Sequence, residues 1–478
     1  MGLIASIRNL VISKPLLRSA AIATIKGYNN FVFNVSGKKN HYNINSPQNI
    51  DAYNKSRILG ARAKICYAPF SNLYFGTTGA VTACCFNREY ELGKYPENSI
   101  NDIWYGEKAD ELRRHIDEGD FSLGCQRCAL AIESKNYMAV NSATYDYFTS
   151  SGKYPTRMDF ELSNTCNLEC VMCNGYCSSS IRKNREKKAP LPYPYDDAFV
   201  AQLEEYIPHL QYAKFLGGEP FLIDIYYQLW ERIAALSPDC LMYVQTNATV
   251  LNEKVKKVLA NGRFNIGVSI DSLEKEKLEA IRINSKFERV MENIQYFANY
   301  CKERGTEFSI CYSPMRNTVA ELLQFIEYAN SLNANAYFNT VYEPHNVAIW
   351  NLPTAQIESF IATFSSTVLP AKTPMERKNA AMFYSYIEQL KKWKEEALLR
   401  EEAATQPSNN LLANAAIRVG SYIQENNLAA IDELNEKLDG YYRRLPEYEK
   451  SIFEKIPEER LYNQILVFGG DGSSILAL

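Results

Sequence analysis

The sequence predicts an α/β chain built around a parallel sheet or barrel, and two observations carry that expectation. From Arg157 to about Leu352, short strand-like runs alternate several times with helix-like ones. The strands read as Arg157–Leu162, Tyr212–Leu216, Leu241–Thr246, Asn265–Ile270, Glu307–Tyr312 and Ala336–Tyr342. Alternation at this spacing argues for βαβ units. After Pro353 the strands stop, and the remainder reads as helical to about Tyr462.

The other segments follow in chain order. Residues 1–50 hold Arg8, Lys14, Arg18, Lys26, Lys38 and Lys39 and no acidic residue, so within a net charge of −3 the rest of the chain is acidic. Such a segment suits packing on its own protein, a membrane-surface helix or a targeting role. Met1-Gly2 followed by Ser6 also fits the loose myristoylation pattern. Residues 61–145 mix short strands, Asn72–Phe75 and Val81–Cys84, with a helix over Ile100–Glu118. Thr318 to Glu321 and Thr373 to Glu376 each have capping-box spacing, the second with Pro374 at the first helical position. There is no internal repeat.

A chain of 478 residues suggests two to four domains with real cores. The near-neutral charge offers no basic field for nucleic acid. No window has the unbroken apolar length of a membrane span, and Lys14 and Arg18 interrupt the only apolar stretch near the start, so a cytoplasmic protein is expected.

Twelve cysteines are the informative count, nine of them between Cys66 and Cys177. A disulfide scaffold suits short secreted chains, whereas bunched cysteines in a reducing compartment point to metal ligation. Cys85, Cys177, Cys240 and Cys301 read as structural thiols.

Cys166, Cys170 and Cys173 lie on a tight loop after the first strand of the alternating region. Three thiolates can hold three irons of a [4Fe–4S] cube and leave the fourth open to chemistry. Cys177 could complete the set, which keeps a ferredoxin-like or zinc protein, a non-enzymatic electron carrier, as the rival reading.

The C-x3-C-x2-C pattern after a first strand resembles the radical SAM superfamily. Gly217-Gly218-Glu219 after the second strand is similar to the family's GGE motif. Thr246-Asn247 resembles its TN pair, Ser269 and Asp271 its Ser-x-Asp, and Arg282 suits a carboxylate of S-adenosylmethionine. The resemblance implies a partial (β/α)6 radical SAM barrel over residues 155–355. It also implies a [4Fe–4S] cluster held by three cysteines with S-adenosylmethionine, with Met172 covering the adenine where many members carry an aromatic residue. The hard chemistry would belong to the cofactors.

Cys66, Cys84, Cys125 and Cys128 form a second set of four thiols, enough to saturate a zinc ion or a cube. The spacing Cys66-x12-Gly79-x4-Cys84, with Ser99–Trp104 and Leu112-Arg113, resembles the twitch and SPASM auxiliary-cluster domains. That resemblance implies one auxiliary [4Fe–4S] cluster in a twitch domain over residues 61–145. It stands between a basic extension (1–60) and the barrel, with a helical region (356–478) closing the chain. Such domains usually follow the barrel.

Asp159 and Glu161 share a face of the first strand as substrate or loop-orienting groups, and Arg182 to Lys188 read as a solvated helix face. Cys311 falls on the inward face of the fifth strand with Ser309 and Ser313, where a thiol could donate a hydrogen atom. The expected activity is reductive cleavage of S-adenosylmethionine and hydrogen abstraction from a peptide or peptide-like substrate. A dehydrogenase or rearrangement acting on a small metabolite is the alternative. A reductant such as flavodoxin or ferredoxin is implied, and no nucleic-acid partner.

Overall fold

The computed structural model describes residues 47–133, 135–148 and 153–403, then 411–425, 431, 433–444 and isolated positions from Phe453 to Ile465. Arg8 to Lys39 and the Met1-Gly2 pattern lie outside the described residues. The chain divides into two compact units. One holds residues up to Tyr312 with Tyr328–Tyr337; the other holds Ser313–Glu327 and residues from Phe338 on.

The first unit is organised by an open sheet of nine strands: β1 (Asn72–Phe75), β2 (Ala80–Thr82), β3 (Gly93–Lys94), β4 (Arg157–Phe160), β5 (Tyr212–Phe215), β6 (Leu241–Thr246), β7 (Phe264–Ser269), β8 (Phe308–Tyr312) and β9 (Asn335–Phe338). Their order is β3-β2-β1-β4-β5-β6-β7-β8-β9. From β4 to β8 every neighbouring pair is parallel. The antiparallel hairpin β1–β2 continues this sheet, because β1 lies parallel to β4 with Leu73 opposite Met158 and Phe75 opposite Phe160.

Period-two alternation sorts the strands into two faces. One face is apolar: Phe75, Phe160 and Phe215 stack across β1, β4 and β5 with ring centroids 5.4 and 5.1 Å apart. Trp230, on the helix Asp224–Leu236, meets Phe215 edge-on at 5.5 Å. Each ring buried here contributes about 1.5–3 kcal/mol, and each such pair about 0.5–1.5 kcal/mol more. The aromatic ladder therefore ties the cysteine-rich hairpin to the parallel strands. The opposite face is polar, with Asp159, Lys214, Tyr243 and Asn265 in register across β4 to β7.

Two local expectations change. The helix read over Ile100–Glu118 is two helices, Ile100–Trp104 and Glu107–Glu118. Gly106 caps the second, and a Cβ there would stand 2.3 Å from the Asp102 carbonyl oxygen, so the chain turns where only glycine fits. Thr318 forms no cap: its Oγ1 accepts from the Met315 N–H at 3.2 Å, and the α-helix begins later, at Leu322. The box at Thr373 does form, with the Glu376 N–H donating to Thr373 Oγ1 at 3.1 Å and the Thr373 N–H to Glu376 Oε2 at 2.7 Å.

In the second unit the helices Thr354–Ser365 and Pro374–Ala403 pack together, Phe364 meeting Phe383 at 5.7 Å. Val419, Leu438, Tyr441 and Phe453 form a buried cluster beyond them. No described helix is long and apolar enough to cross a membrane.

Candidate active site

The three-cysteine loop leaves β4 at its C-terminal end, where parallel α/β folds gather their chemistry. It is held by backbone and by three consecutive serines. Ser178 Oγ donates to the Leu168 carbonyl and Ser180 Oγ to the Cys166 carbonyl, both at 2.7 Å, and the Cys166 N–H donates to Ser179 Oγ at 3.1 Å. Arg185 donates to the carbonyls of Glu169 and Cys170 at 3.3 and 3.2 Å, so this arginine braces the loop. The Glu169 and Val171 N–H groups pair with the Ile283 and Ile281 carbonyls, which places Arg282 beside the thiols.

The Gly-Gly-Glu segment after β5 lies directly under this loop. A Cβ on Gly217 (φ +88°) would stand 2.4 Å from the Ser163 carbonyl oxygen, and one on Gly218 2.1 Å from that of Thr165. Glu219 is fully buried. Its carboxylate accepts from Thr246 Oγ1 at 2.8 Å, the Asn247 N–H at 2.7 Å and the Phe221 N–H at 3.2 Å. Burial outweighs these donors and pushes its carboxyl up to about 7.

Two side chains, one just after a strand and one at the end of the helix Lys275–Ile281, reach the sulfurs. Asn247, just after β6, holds Nδ2 3.9 Å from Cys166 Sγ, and Arg282 holds Nη1 4.0 Å from Cys170 Sγ. Arg282 is ion-paired with fully buried Asp271 at 2.7 Å. The Arg282 Nε is buried and has no hydrogen-bond partner among the described residues. Ser269 accepts from Gln245 Nε2 at 2.8 Å. Met172 is half-buried in the loop. Burial raises the thiols of Cys166, to about 11, and of Cys170.

The other set also assembles. Cys66, Cys84, Cys125 and Cys128 line one small cavity walled by Ile116, Phe121 and Tyr145. Burial raises all four thiols, Cys66 to about 12; neighbouring thiols of the set add to the rise at Cys66, Cys84 and Cys125, and Cys85 adds to it at Cys128. The Ala68 N–H and Asn87 Nδ2 donate to Cys66 and Cys125 sulfurs, each at 3.4 Å. Such donors suit thiolate ligands. Among the described residues no three His, Cys, Asp or Glu side chains converge on a single-ion position.

The remaining cysteines divide. Cys240 and Cys301 are buried, as expected of structural thiols, but Cys177 is exposed and shares a hydrogen bond with Cys173. That contact lowers Cys177 and raises Cys173. Cys85 is half-buried outside the four-thiol cavity. Cys311 faces the interior, its thiol 3.5 Å from Gln245 Oε1 and pushed up to about 11 by burial. Asp159 and Glu161 bond elsewhere than to the loop. Asp159 takes two bonds from Arg157, at 2.8 and 3.1 Å, and one from Tyr145 at 3.3 Å. Glu161 accepts from Tyr74 and from Arg88 at 3.0 Å. Ser178–Ser180, Arg157 and Lys214 were not singled out by sequence; the serine triplet was the available signal for the first.

Comparison with known proteins accords with this geometry. Residues 160–332 match the radical SAM superfamily, and residues 66–129 match SPASM, an iron–sulfur cluster-binding domain. The chain therefore carries a radical SAM domain and a SPASM domain. Its SPASM domain precedes the radical SAM domain. Curated relatives include GTP 3′,8-cyclase of Streptomyces coelicolor, 26% identical over 145 residues, covering 30% of this chain and 41% of the relative. The cysteine-type anaerobic sulfatase-maturating enzyme of Clostridium novyi is 28% identical over 168 residues, covering 33% and 42%. A solved structure of native anSMEcpe with bound AdoMet is 19% identical, covering 43% of this chain and 59% of that one, at a TM-score of 0.33. The chain thus spans well under half the length of those two curated relatives.

Proposed function

We propose that this chain reductively cleaves S-adenosylmethionine and abstracts a hydrogen atom from a peptide or peptide-like substrate. The carrying observation is the convergence of Asn247 and Arg282 on the Cys166–Cys173 loop, with the Arg282 Nε buried and unsatisfied beside it. In this reading Cys166, Cys170 and Cys173 hold a [4Fe–4S] cluster. Gly217, Gly218 and Glu219 serve the methionyl ammonium, and Arg282 the carboxylate. Asn247, Ser269 and Asp271 hold the adenosyl moiety, with Met172 over the adenine. When bound, this cofactor pair supplies a 5′-deoxyadenosyl radical generated by one-electron reduction. The chain's own residues orient the loop, exclude water from it and keep its thiols buried.

Cys66, Cys84, Cys125 and Cys128 hold one auxiliary [4Fe–4S] cluster for electron transfer, supported by four thiols around one cavity and by donors aimed at two of them. Residues 61–145 form that auxiliary domain, 155–355 the barrel, 1–60 a basic extension and 356–478 a helical region. Cys311 is the candidate hydrogen donor, a flavodoxin or ferredoxin supplies the electron, and the protein works in the cytoplasm. Because the relatives include a GTP cyclase as well as a sulfatase-maturating enzyme, a small metabolite is the second substrate reading.

Anaerobic reconstitution tests the proposal. The expected result is about eight irons per chain, with 5′-deoxyadenosine released on reduction. Zinc in place of iron, or no cleavage under reductant, overturns it.

A further inference from the structure

The polar face of the sheet carries a charge that the cofactor reading does not use. Lys214 lies on β5 in the apolar context Tyr-Ala-Lys-Phe, between Asp159 of β4 and Tyr243 of β6 in register. It is half-buried, and its ammonium stands 5.5 Å from the Tyr243 ring centroid. Among the described residues that ammonium makes no hydrogen bond or ion pair. An interior lysine would ordinarily be matched by a carboxylate.

Four carboxylates around this face are committed elsewhere, and Glu307 stands at its far end beside Tyr212. Asp159 is held by Arg157 and Tyr145, Glu161 by Arg88 and Tyr74, and Asp271 by Arg282. Glu219 is enclosed behind Thr246 and Asn247. Asp159, Glu161 and Asp271 are thus each neutralised by an arginine, and none of them pairs with Lys214. Its field reaches the Cys85 thiol on one side and the Cys311 thiol on the other, and lowers both against burial. Lys214 therefore lies between the auxiliary segment and the proposed hydrogen donor.

We propose that Lys214 binds an anionic group of the substrate, a carboxylate or a phosphate, inside the barrel. The inference rests on the reading of this face as the substrate chamber, and it narrows the substrate to one carrying such a group. A half-buried ammonium at reduced dielectric attracts an oxyanion far more strongly than a surface lysine does. The flanking Tyr243 ring brings no competing cation.

The test is amine acylation of the reconstituted protein with a limiting active ester, read lysine by lysine by mass spectrometry. The probes are inorganic phosphate and citrate, against chloride at matched ionic strength. At an anion concentration about twice its Kd, Lys214 should label about threefold more slowly, while Lys254, paired with Asp224 on the surface, keeps its rate. Protection by phosphate alone supports the proposal and identifies a phosphorylated group; protection by citrate alone supports it and identifies a carboxylate. A Lys214 that labels no faster without the anions than with them, or that slows only in parallel with Lys254, overturns it. Release of 5′-deoxyadenosine from the same preparation is measured separately. Its loss with Lys214 protection intact counts against the activity, not against the anion site.

Discussion

Arg282 links Cys170 to the floor of the site: its Nη1 lies 4.0 Å from the Cys170 sulfur while its Nη2 pairs with Asp271 at 2.7 Å. Both members of that pair are buried. Removing one partner leaves an uncompensated interior charge, which costs about 3–5 kcal/mol. Arg282→Gln should therefore lower unfolding stability by that order. Adding Asp271→Asn should restore a substantial part of it, because the second change removes the orphaned carboxylate. Urea unfolding of both variants measures this, and a double variant no more stable than the single one would refute the pairing.

Gly218 packs its bare Cα against the backbone that leads into the cluster loop. A methyl group there would meet the Thr165 carbonyl oxygen at 2.1 Å and its carbon at 2.5 Å, both backbone atoms that cannot rotate away. Gly218→Ala should cost about 1–3 kcal/mol or more by overpacking, and should displace Cys166 enough to lower iron retention. Gly305 provides the contrast. Unlike Gly218 it has positive φ, at +64°, but nothing lies within 4 Å of an added Cβ. Gly305→Ala should cost only the left-handed backbone term, about 1–2 kcal/mol, and leave iron content alone.

The two thiol sets make separable predictions. Cys170→Ala should retain about four irons per chain, in the auxiliary set, and release no 5′-deoxyadenosine. Cys84 lines the four-thiol cavity whereas its neighbour Cys85 does not. Cys84→Ala should accordingly drop iron to about four per chain, and Cys85→Ala should keep about eight. If Cys85→Ala loses iron as Cys84→Ala does, the assignment of the fourth ligand is wrong.

Much of this arrangement is legible in the sequence, and the reasons are local. β1 and β6 coincide with the strands read from alternation, because their apolar residues recur with the period of a pleated strand facing a packed helix layer. Asn247 is legible because a polar residue at the end of a parallel strand is placed by the fold itself, whereas Arg282, at the end of a helix, is legible only through the family resemblance. What is not legible depends on distant partners. Glu161 reads as a loop-orienting acid, yet Arg88 and Tyr74, 73 and 87 residues earlier, take its carboxylate. Lys214 carries no signal in the sequence, and only the sheet register places it between Asp159 and Tyr243. Thr318 has the spacing of a cap, but Met315 claims its hydroxyl.

Glu219 predicts a pH dependence of stability. Its carboxyl is pushed from 4.5 to about 7 in the folded protein, chiefly by burial, against the donors from Asn247, Thr246 and Phe221. Between those values the native state binds more protons than the unfolded chain, so stability falls as pH rises. The favourable contribution is fully present below about 4.5 and is lost as pH rises through about 7, a change of about 3 kcal/mol. Glu219→Gln holds a neutral group in the same place and should flatten this slope. The measurement is urea unfolding of cofactor-free protein at intervals across that window, wild type beside variant. Parallel curves for the two proteins would show that the buried carboxyl is not the titrating group. A slope confined to the wild type would also give the Gly-Gly-Glu segment a role visible without any turnover.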